Sequence, residues 1–215
     1  TWGGTTNVKG KANITANRLA TNAVISEWSN AVQVGWGGVM KFNGPEANLT
    51  ATSEGYTAQA VNTVDAGSKI YFNSPTTVIT ADSDFGANGI GGSGNVYFTG
   101  KDVTINANIN DGVGERNAVG VMSNIDVASS VEIFTINVKG SGIDNGNVNF
   151  ANGTAGIYSL GDNINIEAQK VNINVESGDG VTSNNAPENY SAAHGIRADY
   201  GGTVTISENT KTIVN

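Results

Sequence analysis

Acidic side chains recur after short apolar stretches of this sequence, and paired carboxylates can cleave glycosidic bonds. Three of the stretches align on Ala51, Ala81 and Ala107, and in that alignment Glu54 and Asp84 occupy the same position. The other carboxylates of this row are Asp82 and Asp111. If the stretches formed neighbouring strands, the carboxyl groups would lie about 5 Å apart, close to the spacing in retaining glycosidases. The same oxygens could instead bind calcium.

The surroundings of this acidic row argue against catalysis. The sequence places no Arg or Lys close to it that would orient a uronate or a sulfate, and the Asp-Asp, Gly-His-Gly and Arg-x-Lys groupings of polygalacturonases are missing. Carboxylates at solvated turns explain the pattern more simply. We therefore predict a non-catalytic protein with no metal site and no cofactor. A polysaccharide-acting enzyme, either a glycosidase or a lyase, is the alternative.

Charge and composition exclude several kinds of partner. The 215 residues include 11 basic and 19 acidic side chains, giving a net charge of −8. Nucleic acids and anionic membranes recruit basic surfaces, so neither is an expected partner. The absence of cysteine excludes disulfides and thiolate metal sites. No apolar run approaches the roughly 20 residues that span a bilayer, so we predict that the chain is not inserted in a membrane.

A repeated motif accounts for most of the chain. Apolar residues alternate with polar ones in short runs, which is typical of strands. A motif of the type Ala-x-Gly-Ile begins at positions 31, 58, 87, 118, 154 and 193, and the starts are 27, 29, 31, 36 and 39 residues apart. Between the copies, a pair of apolar residues is followed seven positions later by a second pair, as when Ile70 and Phe72 precede Thr77 and Ile79.

Repeats of this length with three short strands each predict a solenoid. The prediction is an all-β, right-handed parallel β-helix of about six to seven coils, in which each strand pairs with its counterpart one coil along, about 4.8 Å away. We interpret residues 1–30 as an N-terminal cap or an irregular first coil, and residues 31–215 as the repeats.

Three columns of apolar side chains are predicted to point into the core. They are Met40, Ile70, Val96, Val131, Ile164 and Val204; Leu49, Ile79, Ile105 and Ile173; and Val34, Val61, Ile90, Val121, Ile157 and Ile196. The copy around Val131 and Ile133 is irregular. Glycine directly before the third column suggests a sharp bend or a left-handed backbone at a corner.

The outward face of the second strand of each repeat is the main candidate binding surface. It is short-chained, polar and almost free of charge, and its predicted members are Asn48, Thr50, Thr80, Thr104, Asn106, Asn172 and Asn174. Such a flat ladder of donors and acceptors suits association with a second copy or with glycan hydroxyls. Asn and Thr are also ordinary solvent-side residues of strands, so a purely structural role is the alternative.

A second candidate surface lies near the longest insertion. Segments 110–117, 139–147 and 176–190 lengthen successive repeats, and such loops often carry recognition, although a repeat protein also tolerates them as neutral drift. The predicted patch beside the last one contains Tyr190, His194, Arg197 and Tyr200. His194 is the only histidine, and it occupies a repeat position held elsewhere by Val, Gln, Asn or Ala, so its identity is predicted to be incidental.

The segments "HGIRADYGGTVTI", "AGIYSLGDNINI" and "VGVMSNI" resemble coils of bacterial autotransporter passenger domains. The resemblance covers about residues 31 to 210 and implies display on the Gram-negative cell surface, with adhesion or self-aggregation as the role. The family anchors its passengers through a C-terminal translocator, which this sequence lacks, so we expect a passenger fragment. We predict an extracellular adhesin that binds other copies of itself or a host glycan or protein. The alternatives are the enzyme described above and a structural stalk.

Overall fold

The computed structural model describes residues 3–19, 28–110, 118–140, 154–176 and 193–215. Within these ranges the chain is all-β, with no helix. Nothing in this part of the chain forms a helix with the length and apolarity needed to cross a membrane. The strands are rich in Val, Ile and Thr, whose branched side chains favour extended backbone. The described strands form two sheets, and all of their pairings are parallel.

The seven-stranded sheet contains the second strand of each predicted repeat. Its strands are β2 (Ala12–Arg18), β5 (Glu46–Ser53), β8 (Thr76–Ser83), β10 (Asp102–Ile109), β12 (Ile133–Lys139), β15 (Lys170–Glu176) and β18 (Lys211–Val214). They are hydrogen-bonded in the order β18-β15-β12-β10-β8-β5-β2. Residues 12–18 thus extend the sheet of the later repeats, with Ile14 opposite Leu49.

The eleven-stranded sheet has two lanes because two of its strands, β9 (Gly86–Phe98) and β11 (Ala118–Val127), are long enough to pair in both. The first lane contains β1 (Thr5–Val8), β4 (Val39–Phe42), β7 (Lys69–Phe72), β14 (Asn163–Ile166), β17 (Thr203–Ile206) and the C-terminal halves of β9 and β11. The second, which we call the glycine lane, contains β3 (Val32–Val34), β6 (Thr57–Thr63), β13 (Thr154–Leu160), β16 (Ala193–Asp199) and the N-terminal halves of β9 and β11.

The first predicted column of inward side chains is confirmed except at one position. Met40, Ile70 and Val96 face one another on successive strands, but the next member is Ile125 and not Val131. The prediction of Val131 is wrong because the turn after β11 contains two extra residues. Ile125 precedes Phe134, the corresponding inward residue of the following strand, by nine positions, whereas the usual interval is seven.

The other two columns also form, with two corrections. Ile196, predicted as the last inward residue of the third column, is 38% exposed, because it lies on the last strand of its lane. Ile136 fills the gap that the sequence left in the second column, between Ile105 and Ile173, and it is fully buried. In the third column the residue opposite Val61 is Val32, so the prediction of Val34 is wrong by two positions. Both valines are buried, and alternation alone does not distinguish them.

Aromatic rings continue the core across strands. Phe42, Phe72 and Phe98 are fully buried and stacked, with ring centroids 5.0 and 5.1 Å apart. Phe134 meets the edge of Phe98 at 5.8 Å. Stacking of this kind stabilises beyond the burial of apolar area, by about 0.5–1.5 kcal/mol per pair.

The repeated glycine is required by packing and not by backbone conformation. None of Gly89, Gly120, Gly156 and Gly195 has a positive φ, so the predicted left-handed corner is wrong. A Cβ atom on Gly89 would lie 2.4 Å from the Cγ2 of Ile105 and 2.6 Å from the carbonyl oxygen of Gly120. The same close approach recurs one strand further on, so any side chain here would collide with the second column.

Candidate interaction surface

The outward side chains of the seven-stranded sheet form a regular polar face. The structure brings all seven predicted residues onto it, in two adjacent rows. One row contains Asn13, Asn48, Val78, Thr104, Thr135, Asn172 and Ile213; the other contains Thr15, Thr50, Thr80, Asn106, Asn137, Asn174 and Asn215. We call these two rows the polar face. Sequence reasoning missed Thr135 and Asn137, although "FTINV" at 134–138 has the same pattern as "VNINV" at 171–175.

Hydrogen bonds link one row of the polar face along the stacking direction. The Nδ2 of Asn137 donates to the Oδ1 of Asn106 at 3.0 Å, and the Nδ2 of Asn174 donates to the Oδ1 of Asn137 at 2.9 Å. This series of hydrogen bonds ends at Thr80 on one side, where the Nδ2 of Asn106 donates to the Thr80 hydroxyl at 3.2 Å. It ends at Asn215 on the other side, where the Nδ2 of Asn215 donates to the Oδ1 of Asn174 at 2.9 Å. Each amide in the middle therefore has a fixed orientation and keeps one N–H and one acceptor lone pair for a partner.

Charged side chains border the polar face without entering it. On one side Lys11 and Glu46 form an ion pair at 2.6 Å, and hydrogen bonds from Lys11 and then from Asn48 lower the pKa of Glu46. On the other side the carboxylate of Asp82 accepts a hydrogen bond from the amide of Asn108 at 2.7 Å. A shallow groove of about 250 Å³ lies at this border, beside Lys139. The two central rows contain only polar and apolar uncharged residues.

The acidic row lies where strands of this sheet end. Ser53 and Ser83 pair, which places Glu54 next to Asp84, and an oxygen of Asp84 accepts the backbone N–H of Gly55 at 2.5 Å. Asp111 lies outside the described residues. Within the described residues, no three His, Cys, Asp or Glu side chains are grouped so as to hold a metal ion.

A basic residue does lie beside the acidic row, contrary to the sequence-based expectation. Arg18 is opposite Ser53, and its backbone carbonyl accepts the N–H of Glu54 at 2.9 Å. The guanidinium of Arg18 lies 4.2 Å from the centre of the Tyr56 ring, in a cation–π arrangement. Sequence reasoning missed this neighbour because Arg18 precedes the repeats that were aligned.

The second candidate surface is only partly assembled. His194 lies opposite Ala155, and Arg197 lies opposite Tyr158 on the same lane. Tyr200 is 88% exposed in a left-handed turn with φ +52°. Tyr190 lies outside the described residues, as do 111–117, 141–147 and 177–190 of the three predicted loops.

Arg197 is held by neighbours that the sequence did not single out. Its guanidinium forms an ion pair with Asp199 at 2.7 Å and lies 5.0 Å from the centre of the Tyr158 ring. The hydroxyl of Tyr158 donates to Asp199 at 3.2 Å, and burial raises the pKa of Tyr158. The arrangement stabilises the end of this lane, so Arg197 is engaged within the chain.

These observations allow the three predicted surfaces to be compared by their extent and by whether their side chains are already paired within the chain. The polar face is continuous over seven strands, the acidic row involves two strand ends, and the patch around Arg197 is internally paired. In comparisons with known proteins, no family model, no curated sequence and no solved structure matches this chain.

Proposed function

We propose that the chain is a right-handed parallel β-helix that acts as a bacterial cell-surface adhesin, of the autotransporter passenger type, and associates with other copies of itself through the polar face. The β-helix is supported by parallel pairing between strands that recur with the sequence repeat, from β2 through to β18. The display on a Gram-negative surface rests on the resemblance of the repeated segments. Attachment to a host surface is the other form that adhesion by this chain could take.

One observation carries the proposal of self-association. The polar face offers an uncharged strip between charged borders, on a chain whose net charge is −8. Two copies that repel each other elsewhere meet least repulsion along this strip. The hydrogen-bonded row of Asn106, Asn137 and Asn174 also holds the amides in place before a partner arrives, which reduces the entropy lost on contact.

The size of the polar face predicts weak binding by a single pair of molecules. Seven strands at about 4.8 Å spacing make a strip about 29 Å long and about 10 Å wide, or about 300 Å². A stable interface needs about 800 Å² on each partner. Useful adhesion would therefore come from many copies displayed densely on each surface. Many weak contacts of the same kind then act together and raise the avidity.

The test of self-association is aggregation of beads coated with the purified chain. A variant with Thr104, Asn106, Asn172 and Asn174 replaced by Lys should aggregate much less, and low salt should deepen the loss because the added charges repel across the interface. The matched control places four Lys residues on exposed positions of β1 and β17, at Thr5, Asn7, Thr203 and Thr205, so that net charge is equal. Equal loss in both variants, or no loss in the first, contradicts the proposal and directs attention to Tyr190, His194, Arg197 and Tyr200.

Catalysis on polysaccharides remains the alternative function, and the neighbourhood of Arg18, Glu54 and Asp84 is the observation that favours it. We propose that this site is not catalytic, since a backbone N–H already engages the carboxylate of Asp84. Release of reducing ends from neutral and acidic glycans is the assay. Turnover that disappears in Glu54→Gln or Asp84→Asn would reverse the assignment. A chain that neither aggregates nor cleaves glycans would be a structural stalk.

A further inference from the structure

An open groove of about 420 Å³ crosses the glycine lane, which belongs to the eleven-stranded sheet and not to the sheet of the polar face. Residues from β6, β9, β11 and the end of β13 line it, so it spans several successive strands. Its volume falls in the range of small-molecule sites, about 300–1,000 Å³. The side chains that matter for its chemistry are Trp28, Gln59, Asn62, Val64, Leu160 and Asp162.

The groove exists because one strand lacks side chains where its neighbours have them. Gly91 lies opposite Met122, and Gly92 lies opposite Thr63. A Cβ on Gly91 would lie 2.7 Å from the Nε2 of Gln59, and one on Gly92 would lie 2.0 Å from the carbonyl oxygen of Thr63. Gly92 also has φ +114°, which side chains disfavour. These two glycines therefore keep the floor of the groove low.

A buried amide in this groove has an unsatisfied acceptor. Gln59 is fully buried, and its Nε2 donates weakly to the carbonyl of Val61 at 3.4 Å. Its Oε1 has no hydrogen-bond partner in the described structure. Buried polar atoms are almost always paired, and an unpaired one is costly, so this oxygen is a place where a donor from a ligand would be favoured.

The rest of the lining combines apolar surface with a second acceptor. Trp28, Val64 and Leu160 are 41%, 43% and 43% exposed, and all three face the same groove. Exposed apolar side chains that cluster in this way mark binding surfaces. Burial raises the pKa of the Asp162 carboxyl, although the backbone N–H of Leu160 opposes the shift. A donor near Asp162 would therefore relieve a carboxylate that is poorly solvated.

We propose that this groove binds a neutral saccharide. A pyranose ring offers an apolar face of C–H groups that can lie on the indole of Trp28, and hydroxyls that can donate to the Oε1 of Gln59 and to Asp162. No Lys or Arg is among the described residues that line the groove, and the chain is acidic, so uronates and sulfated sugars would be repelled. Asn62 supplies both donors and acceptors at the edge.

Titration of the full chain with neutral oligosaccharides tests the proposal. The panel contains oligomers of glucose, galactose, mannose and N-acetylglucosamine, together with sulfated and uronic-acid oligomers and a lysine-rich peptide, and calorimetry measures affinity. We expect at least one neutral oligomer to bind more tightly than every charged probe. Trp28→Ala should weaken that binding at least tenfold, while Trp36→Ala, an exposed tryptophan outside the groove, should leave it unchanged.

A second variant separates loss of the site from loss of the fold. Ser93 is exposed on the floor of the groove, so Ser93→Phe fills the space without entering the core. It should abolish saccharide binding while the thermal transition stays in place. Binding that persists in Ser93→Phe and Trp28→Ala overturns the proposal, as does preference for the lysine-rich peptide or the absence of any neutral ligand. Neither variant should alter bead aggregation, which depends on the polar face.

Discussion

The polar face and the glycine lane use parallel strands in opposite ways. The seven-stranded sheet keeps one register through all of its strands, with apolar residues such as Ile105 inward and polar residues such as Asn106 outward. The eleven-stranded sheet shifts register where β9 pairs with β11, between Met122 and Asn124, at the end of the glycine lane. Strict alternation produces the same surface many times, whereas interruption produces a groove at one place.

The insertions follow the same division. The predicted loops 110–117, 139–147 and 176–190 each precede a strand of the glycine lane in the sequence, namely β11, β13 and β16. The polar face is joined to its neighbours in sequence by short turns on the side of the first lane. A repetitive surface suits binding through many weak contacts, and a singular one suits a defined ligand.

The largest effect should come from breaking the inward half of the regular sheet. Ile105→Asp places a carboxylate in a fully buried column between Ile79 and Ile136, so we expect a loss of at least about 4 kcal/mol or complete unfolding. Thr104→Asp changes the neighbouring outward residue and should cost less than about 1 kcal/mol. Both losses of stability can be measured by chemical denaturation, with unfolding monitored by circular dichroism. Similar losses in the two variants would contradict the alternation.

A single methyl group should distinguish the glycine lane from the rest of the chain. In Gly120→Ala the added Cβ would lie 2.3 Å from the Cγ2 of Ile136 and 2.6 Å from the carbonyl oxygen of Gly156. Overpacking of this kind costs about 1–3 kcal/mol. Gly10→Ala is the control, because nothing lies within 4 Å of its added Cβ. A fully tolerated Gly120→Ala would show that the lane is looser than its contacts imply.

The hydrogen-bonded row of the polar face should contribute a smaller amount. Asn137→Ala removes one bond to Asn106 and one from Asn174, and we expect a loss of about 1–2 kcal/mol because these bonds are only partly shielded from water. Thr205→Ala, at an exposed site on β17, should be neutral within about 0.5 kcal/mol. The unfolding free energies of both variants, measured by urea denaturation, show whether the row stabilises the sheet. Equal values for the two variants would mean that it does not.

The smallest effect concerns the groove and depends on pH. The pKa of Asp162 is raised in the folded chain, so the folded state holds its proton more tightly than the unfolded state. Stability from this group is therefore greatest below the unfolded pKa and falls as pH rises through the folded pKa. We expect Asp162→Asn to be slightly more stable than the parent at pH 7 and equal to it near pH 3. A variant that is less stable at pH 7 would show that the carboxylate has a favourable partner.

The regular sheet could be predicted from the sequence, and the glycine lane only in outline. The seven-residue interval located β8, β10 and β15, because each has the same turn before it. The interval does not hold after Ile125, because the turn there contains two more residues. For this reason Thr135 and Asn137 were not assigned to the polar face. Alternation could not choose between Val32 and Val34, since both are buried.

The reason why glycine recurs at this position of the repeat could not be predicted from the sequence. Its constraint comes from a side chain on another strand, such as Ile105 for Gly89, so no local pattern of the backbone reveals it. The groove draws on residues from Trp28 to Asp162, which are distant in the sequence. Two adjacent glycines inside a strand pattern, Gly91 and Gly92, were the available signal, because glycine within a strand marks a bulge or a close approach.

The parallel pairing has a mechanical consequence. Linked positions of adjacent strands lie from 26 residues apart, at Thr80 and Asn106, to 41 apart, at Asn174 and Asn215. A pull along the stacking direction loads the strand pairs one after another, so the chain should lengthen in steps. Each step releases about 90 Å of extended chain at the shortest repeat, between Thr80 and Asn106, and about 140 Å near the end, at about 3.4 Å per residue. The longer repeats thus give the later part of the chain more extension for each pairing that breaks.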